Sequence, residues 1–177
     1  MIQKKRLDEL LVINGISDLE NEIDHLFDLA YENMDNEAWV GAAQMFLTLL
    51  SYDNESAEAM NGLGVCLFEM GNIEDAEYII DRALEAYPDD SVTLANKASI
   101  CWEKDLLEEA LDLYRKALEY EPDLIEARIN IINLYRETGD IFIAYTKCLE
   151  LSHSFPDDEE IKELLDAVIL DLAILFY

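Results

Sequence analysis

The chain has 177 residues, 40 acidic against 12 basic side chains, a net charge of −28 and 51% apolar residues. That apolar share supplies enough surface to bury for the chain to fold, which excludes a disordered polymer. So negative a surface excludes nucleic acid and anionic membranes as partners, because both require Lys and Arg to displace counterions.

The charge is uneven along the chain. Lys4, Lys5 and Arg6 stand near the start, and Leu7 to Asp81 then carry 18 acids and no Lys or Arg. From Arg82 onward, 22 acids meet 9 bases. A cationic partner is therefore drawn first to the amino-terminal half. The opening MIQKKRLDELLVINGIS has no unbroken apolar run and no small-residue cleavage site, so it does not read as a secretion signal. No stretch approaches the roughly 20 apolar residues that span a bilayer, and a cytoplasmic location is expected. Cys66, Cys101 and Cys148 are odd in number and lack metal-site spacing, so they read as small buried apolar residues.

Taken in chain order, Ile2–Asn14 reads as a short helix stopped by Gly15, an amino-terminal cap over residues 1–22. A period of 34 follows. Pro88, Pro122 and Pro156 are the only prolines, spaced by 34, with Asn54 one period upstream. They define four windows: Ile23–Ser56, Ala57–Asp90, Ser91–Leu124 and Ile125–Asp158. Small residues recur at Ala42, Ala76, Ala110 and Ala144, followed four residues later by Phe46, Ile80, Tyr114 and Cys148. Three further on stand Leu49, Ala83, Ala117 and Leu151. Each window holds two stretches of helical periodicity, such as Ser56–Met70 and Ile73–Ala86, parted by a glycine turn at Gly71 and again at Gly139. The Asp that follows Pro in PDDS, PDLI and PDDEE is expected to begin an acidic first helical turn. A last helix, about Asp157–Phe176, which makes up a carboxy-terminal cap over 159–177, should turn Ile161, Leu164, Leu165, Val168, Leu172 and Leu175 inward. Ile169, Ala173, Ile174 and Phe176 widen its apolar surface beyond one face, so Ile169, Ile174 and Phe176 are candidates for self-association into a homo-oligomer.

Over residues 23–158 the pattern resembles the tetratricopeptide repeat, W-x-x-L-G-x-x-Y, then A-x-x-x-F, A and P. The second window carries it most fully, with Leu63, Gly64, Leu67, Gly71, Ala76, Ile80, Ala83 and Pro88. The resemblance implies an all-α fold, a right-handed superhelical solenoid of antiparallel helix pairs with helical caps. It also implies a binding groove lined by the first helix of each pair. Carried over by position, the groove residues are Asp24, Phe27, Tyr31, Met34 and Asp35, then Glu58, Asn61, Val65, Phe68 and Glu69. Ser99, Trp102, Asn133 and Arg136 follow in the third and fourth windows, with Val92, Ala95, Glu103, Glu126, Ile129 and Glu137 at the remaining offsets.

Family members that clamp an acidic chaperone tail use Lys, Asn and Arg in the groove. Here Phe27 and Tyr31 stand at the first-repeat positions, and a carboxylate ligand would meet like charge. The expected partner is a protein or peptide segment with apolar anchors and basic flanks. Size, acidity and a cap at each end are also similar to class II chaperones of type III secretion, which normally have three repeats where this chain has four in phase.

No catalytic constellation accompanies the repeat. His25 and His153 are the only histidines, read as a surface residue and a helix-end residue, and no nucleophile elbow, Walker loop, zinc motif or dinucleotide fingerprint occurs. Asp157, Asp158, Glu159 and Glu160 lack the alternating ligands and glycine of a calcium loop. Neither catalytic residues, metal nor cofactor is expected. The function expected is a non-enzymatic interaction module, an adaptor or chaperone; the alternative is an assembly protein self-associating through its last helix.

Overall fold

The structure is a computed structural model that describes residues 16–175, with side chains from residue 19. The cap helix expected at Ile2–Asn14 lies outside the described residues, as does Phe176. Among the described residues there are nine helices and no strand: α1 Ile16–Asp35, α2 Trp39–Tyr52, α3 Ala57–Glu69, α4 Ile73–Ala86, α5 Ser91–Glu103, α6 Leu107–Tyr120, α7 Ile125–Glu137, α8 Ile141–Ser154 and α9 Glu159–Ile174. Turns of three and four residues alternate between them. α1 starts upstream of the first 34-residue window and runs unbroken through its beginning.

The three-residue turns share one conformation. Positions 37, 71, 105 and 139, each 34 apart, all lie in the left-handed region: Glu37 at φ 56°, Gly71 at 76°, Asp105 at 62° and Gly139 at 82°. The reason is the helix stop. The Asn72 N–H donates back to Leu67 O at 2.9 Å and the Gly71 N–H to Phe68 O at 2.8 Å, which satisfies carbonyls that the ending helix leaves open. Leu106 to Cys101 (2.9 Å) and Ala38 to Asn33 (2.7 Å) repeat the longer bond. The glycine stops expected at Gly71 and Gly139 are thus two of four like turns. The other two are made by acidic residues, which composition alone does not mark as turns.

Three of the four four-residue turns end in side-chain caps. Ser56 accepts from the Ala59 N–H at 3.3 Å, Asp90 from Thr93 at 2.8 Å and Asp158 from Ile161 at 3.1 Å. Each stands two residues after Asn54, Pro88 or Pro156. The acid that starts the helix is therefore the second residue after proline, one later than expected from the sequence, because the first belongs to the turn. Leu124 holds this place after Pro122 and caps nothing; there the Arg128 Nε donates to Pro122 O at 2.8 Å.

The described residues fall into two compact units, divided between Pro88 and Asp89. In the first, α1–α4, the core gathers Ala30, Ala42, Ala43, Phe46, Leu49, Ala59, Leu63 and Cys66, with Trp39 packed at its margin. Ala42 and Ala76 are wholly buried, as are Phe46 and Ile80 one turn later. The small residue lets the neighbouring helix approach and the larger one fills the space beside it. Gly62 shows how close the approach is: a methyl group there would overlap the ring of Phe46.

The second unit, α5–α9, repeats the arrangement with Ala110, Tyr114 and Ala117, then Ala144, Cys148 and Leu151, all buried. Tyr114 brings a hydroxyl into this core, where it pairs with Ser99 Oγ at 2.8 Å and with Asn130. α9 closes the unit with Ile161, Leu164 and Val168 buried and Leu165 and Leu172 half-buried. Leu175 differs from expectation: it is the residue that caps α9, and it is exposed rather than inward.

Candidate functional site

In the first unit the candidate residues form two helical stripes. Asp24, Phe27, Tyr31, Met34 and Asp35 follow the spacing i, i+3, i+7, i+10 and i+11, which keeps them on one face of α1. Glu58, Asn61, Val65, Phe68 and Glu69 repeat that spacing on α3. Phe27, Met34, Asn61, Val65 and Phe68 are half-buried, and the four carboxylate residues are exposed.

Three aromatic residues meet directly at this face. Phe27 and Tyr31 stack with ring centroids 6.4 Å apart and planes at 21°. The buried ring of Phe46 from α2 meets Phe27 edge-on at 6.4 Å and Tyr31 at 5.8 Å. The Tyr31 hydroxyl donates to Glu58 Oε1 at 3.0 Å and so ties α1 to α3. Burial first, and then the Glu58 charge, pushes the Tyr31 phenol well above its ordinary range, so it stays a neutral donor at physiological pH. Tyr31 nevertheless keeps 40% of its surface exposed. The carboxylates of Asp24, Asp35 and Glu69 have no hydrogen-bond or ion-pair partner among the described residues.

In the second unit the candidate residues are engaged in hydrogen bonds, some with one another and some with other residues. The Trp102 Nε1–H donates to Glu137 Oε2 at 2.6 Å, from α5 to α7. Arg136 Nε donates to Asp171 Oδ2 at 2.7 Å, from α7 to α9, and its Nη1 donates to Asn133 Oδ1 at 3.2 Å. Ser99 pairs with Tyr114 and also donates to Ala95 O at 3.2 Å, so its hydroxyl serves the helix packing. The acceptor Asp171 was missed by the residue-by-residue reading. Its signal was present in the period, since Asp35, Glu69, Glu103, Glu137 and Asp171 are spaced by 34.

Two further features of the second unit lie outside the stripes. A cleft of about 220 Å³ opens between α6, α7 and α8, floored by Leu118, Ile131, Ile132 and Leu151 and edged by Arg128, Lys147 and Glu150. On α9, Ile169 is 45% and Ile174 67% exposed, joined by exposed Leu170. Among the described residues no group of three His, Cys, Asp or Glu side chains could hold a metal, and no helix is long and apolar enough to cross a membrane.

Comparison with solved structures finds the same helical architecture. A thermophilic TPR protein of Thermus thermophilus superposes with a TM-score of 0.79 at 16% identity, over 92% of this chain and 87% of that one. The first TPR of Spaghetti, bound to the HSP90 peptide SRMEEVD, gives 0.59 at 15% identity, over 67% and 94%. An O-GlcNAc transferase mutant of Thermobaculum terrenum gives 0.70 at 19% identity over 75% of this chain, which spans only 26% of that enzyme. At these identities the likeness establishes the fold. Comparison with curated protein sequences finds no match. Two family models, both described as tetratricopeptide repeat, match residues 33–98 and 92–124, together just over half of the chain. With the helix pairs, the buried alanines at a period of 34 and the all-α architecture, these matches show that the chain belongs to the tetratricopeptide repeat family.

Proposed function

We propose that this protein is a non-enzymatic interaction module that binds a segment of a protein partner on the stripes of its first helices, with Ile23–Ser56, Ala57–Asp90, Ser91–Leu124 and Ile125–Asp158 as its repeats. Repeats of this family generally serve protein–protein interaction rather than catalysis. The observation that carries the reading is the half-buried stripe of the first unit. Phe27, Tyr31, Met34, Val65 and Phe68 offer apolar contact, while Asp24, Asp35, Glu58 and Glu69 present exposed carboxylates. Such a surface suits apolar anchors flanked by Lys or Arg. The Spaghetti domain provides a contrast, since the peptide it holds is acidic. Here an acidic segment would meet like charge on α1 and α3.

The test is a peptide array probed with the full chain at low and high salt. Basic segments with apolar anchors should bind, binding should weaken as salt rises, and Phe27→Ala with Phe68→Ala should abolish it while circular dichroism stays unchanged. Acidic segments binding instead, or binding indifferent to these substitutions, would remove the reading.

A second reading, self-association, rests on the exposed Ile169, Leu170 and Ile174 of α9. Light scattering of the wild type against Ile169→Asp with Ile174→Asp separates the two. A wild type that stays monomeric at high concentration rejects it.

A further inference from the structure

The two aromatic rings of α1 sit in unusual electrostatic surroundings. No Lys or Arg occurs anywhere in α1, α2 or α3, and His25 is the sole imidazole of those helices. The one base of α4, Arg82, donates to the backbone oxygen of Asn54 at 3.4 Å. The first unit therefore brings no guanidinium or ammonium group of its own from α1–α3 to its aromatic faces. Around those faces stand carboxylates: Asp24 one turn before Phe27, Asp28 one turn before Tyr31, Asp35 one turn after Tyr31, and Glu58 on the Tyr31 hydroxyl.

A phenol that donates to a carboxylate has an electron-rich ring. An aromatic face attracts a cation through its quadrupole, more strongly as the site loses water. The stack on Phe27, the edge contact to Phe46 and the bond to Glu58 fix Tyr31 from three sides, so little ordering is left for a ligand to impose. A planar guanidinium can lie on an aromatic ring and donate sideways to carboxylates, which a compact ammonium does less well.

We propose that the exposed part of the Phe27–Tyr31 stack, edged by Glu58 and the α1 carboxylates, is a seat for an arginine side chain of the partner. The inference rests on the interaction-module reading and sharpens it: the aromatic stack receives the basic residue itself, and the apolar anchors dock elsewhere on the stripes.

The experiment titrates the 15N-labelled full chain with N-acetyl-arginine amide, N-acetyl-citrulline amide and N-acetyl-leucine amide. Citrulline keeps the shape of arginine and lacks its charge. The arginine probe should shift amides around Phe27, Tyr31 and Glu58 saturably. Citrulline should bind at least about fivefold more weakly. Tyr31→Leu should weaken the arginine probe by a similar factor, and Glu58→Gln by less. Equal shifts from arginine and citrulline, or arginine shifts surviving Tyr31→Leu, would overturn the inference. Leucine shifting the same amides in place of arginine would also overturn it, yet leave the interaction-module reading standing with the stack as an apolar anchor site. That broader reading fails on separate grounds, when the peptide array shows no binding that depends on Phe27 and Phe68.

Discussion

The Trp102 indole and Glu137 are 35 residues apart and joined by a 2.6 Å hydrogen bond, and Arg136 and Asp171 repeat that relationship at 2.7 Å. In both cases the donor is the twelfth residue of its 34-residue window and the acceptor is the thirteenth residue one period later. The period thus places a donor on one first helix beside an acid on the next, and the second unit is laced by two equivalent ties. Removing either should be felt in stability. Trp102→Phe and Arg136→Met are each expected to lower stability by only about 0.5–1 kcal/mol, because both pairs lie partly in solvent. Urea unfolding with an unchanged slope would measure this; a cost below a few tenths of a kcal/mol would mean that the ties only position side chains.

Left-handed backbone is costly for residues with a Cβ, and Glu37 and Asp105 bear that cost where Gly71 and Gly139 do not. Glu37→Gly and Asp105→Gly are expected to stabilise the protein by about 0.5–1 kcal/mol each, despite the greater freedom glycine adds to the unfolded chain. Because the two sites are far apart in the chain and share no partner, the double variant should show the sum. Thermal melts of the four proteins test this, and a lowered melting temperature would contradict it.

Gly62 couples the core to the candidate site. Gly62→Ala drives a methyl into the space of the Phe46 ring, which in turn touches Phe27 and Tyr31. Overpacking of this kind is expected to cost about 1–3 kcal/mol and to disturb the aromatic signals of Tyr31, whereas Gly71→Ala leaves them in place. One-dimensional proton spectra of the aromatic region distinguish the two.

Tyr114 makes stability sensitive to alkali. Burial raises its phenol above the ordinary value near 10, opposed by its bonds to Ser99 and Asn130. The folded state therefore holds the proton more tightly than the unfolded chain. That contribution is fully present below pH about 10 and declines above it as the unfolded phenol ionises. Stability measured between pH 9 and 11 should fall more steeply in the wild type than in Tyr114→Phe. Parallel curves would show that burial of this hydroxyl does not govern the alkaline limb.

The cysteines offer a check on packing. All three are buried, and burial together with the Glu69 charge pushes the Cys66 thiol up to about 11. A thiol-specific reagent at neutral pH should label none of them rapidly in the folded protein and all three in denaturant.

Much of this protein was legible in its sequence because a period of 34 repeats the same physical problem. At Ala42, Ala76, Ala110 and Ala144 a small side chain is needed where helices approach, and all four are fully buried. Helix type, pairing and the inward residues follow from spacing, since a helical face is set by local geometry. The positive φ of Glu37 and Asp105 was hidden, because neither residue is a composition signal for a turn; their phase with Gly71 and Gly139 was the available clue. What side chains do across helices depended on the tertiary structure. The resemblance to the repeat pattern put Trp102 and Arg136 on the candidate face, and only packing decided that they bond to Glu137 and Asp171, and that Tyr31 reaches Glu58 while staying partly open. A bond between side chains 27 or 35 residues apart depends on how helices settle against each other to within a fraction of an ångström. That placement is fixed by the whole core, whereas the 34-residue period that brings the helices side by side is written in the chain.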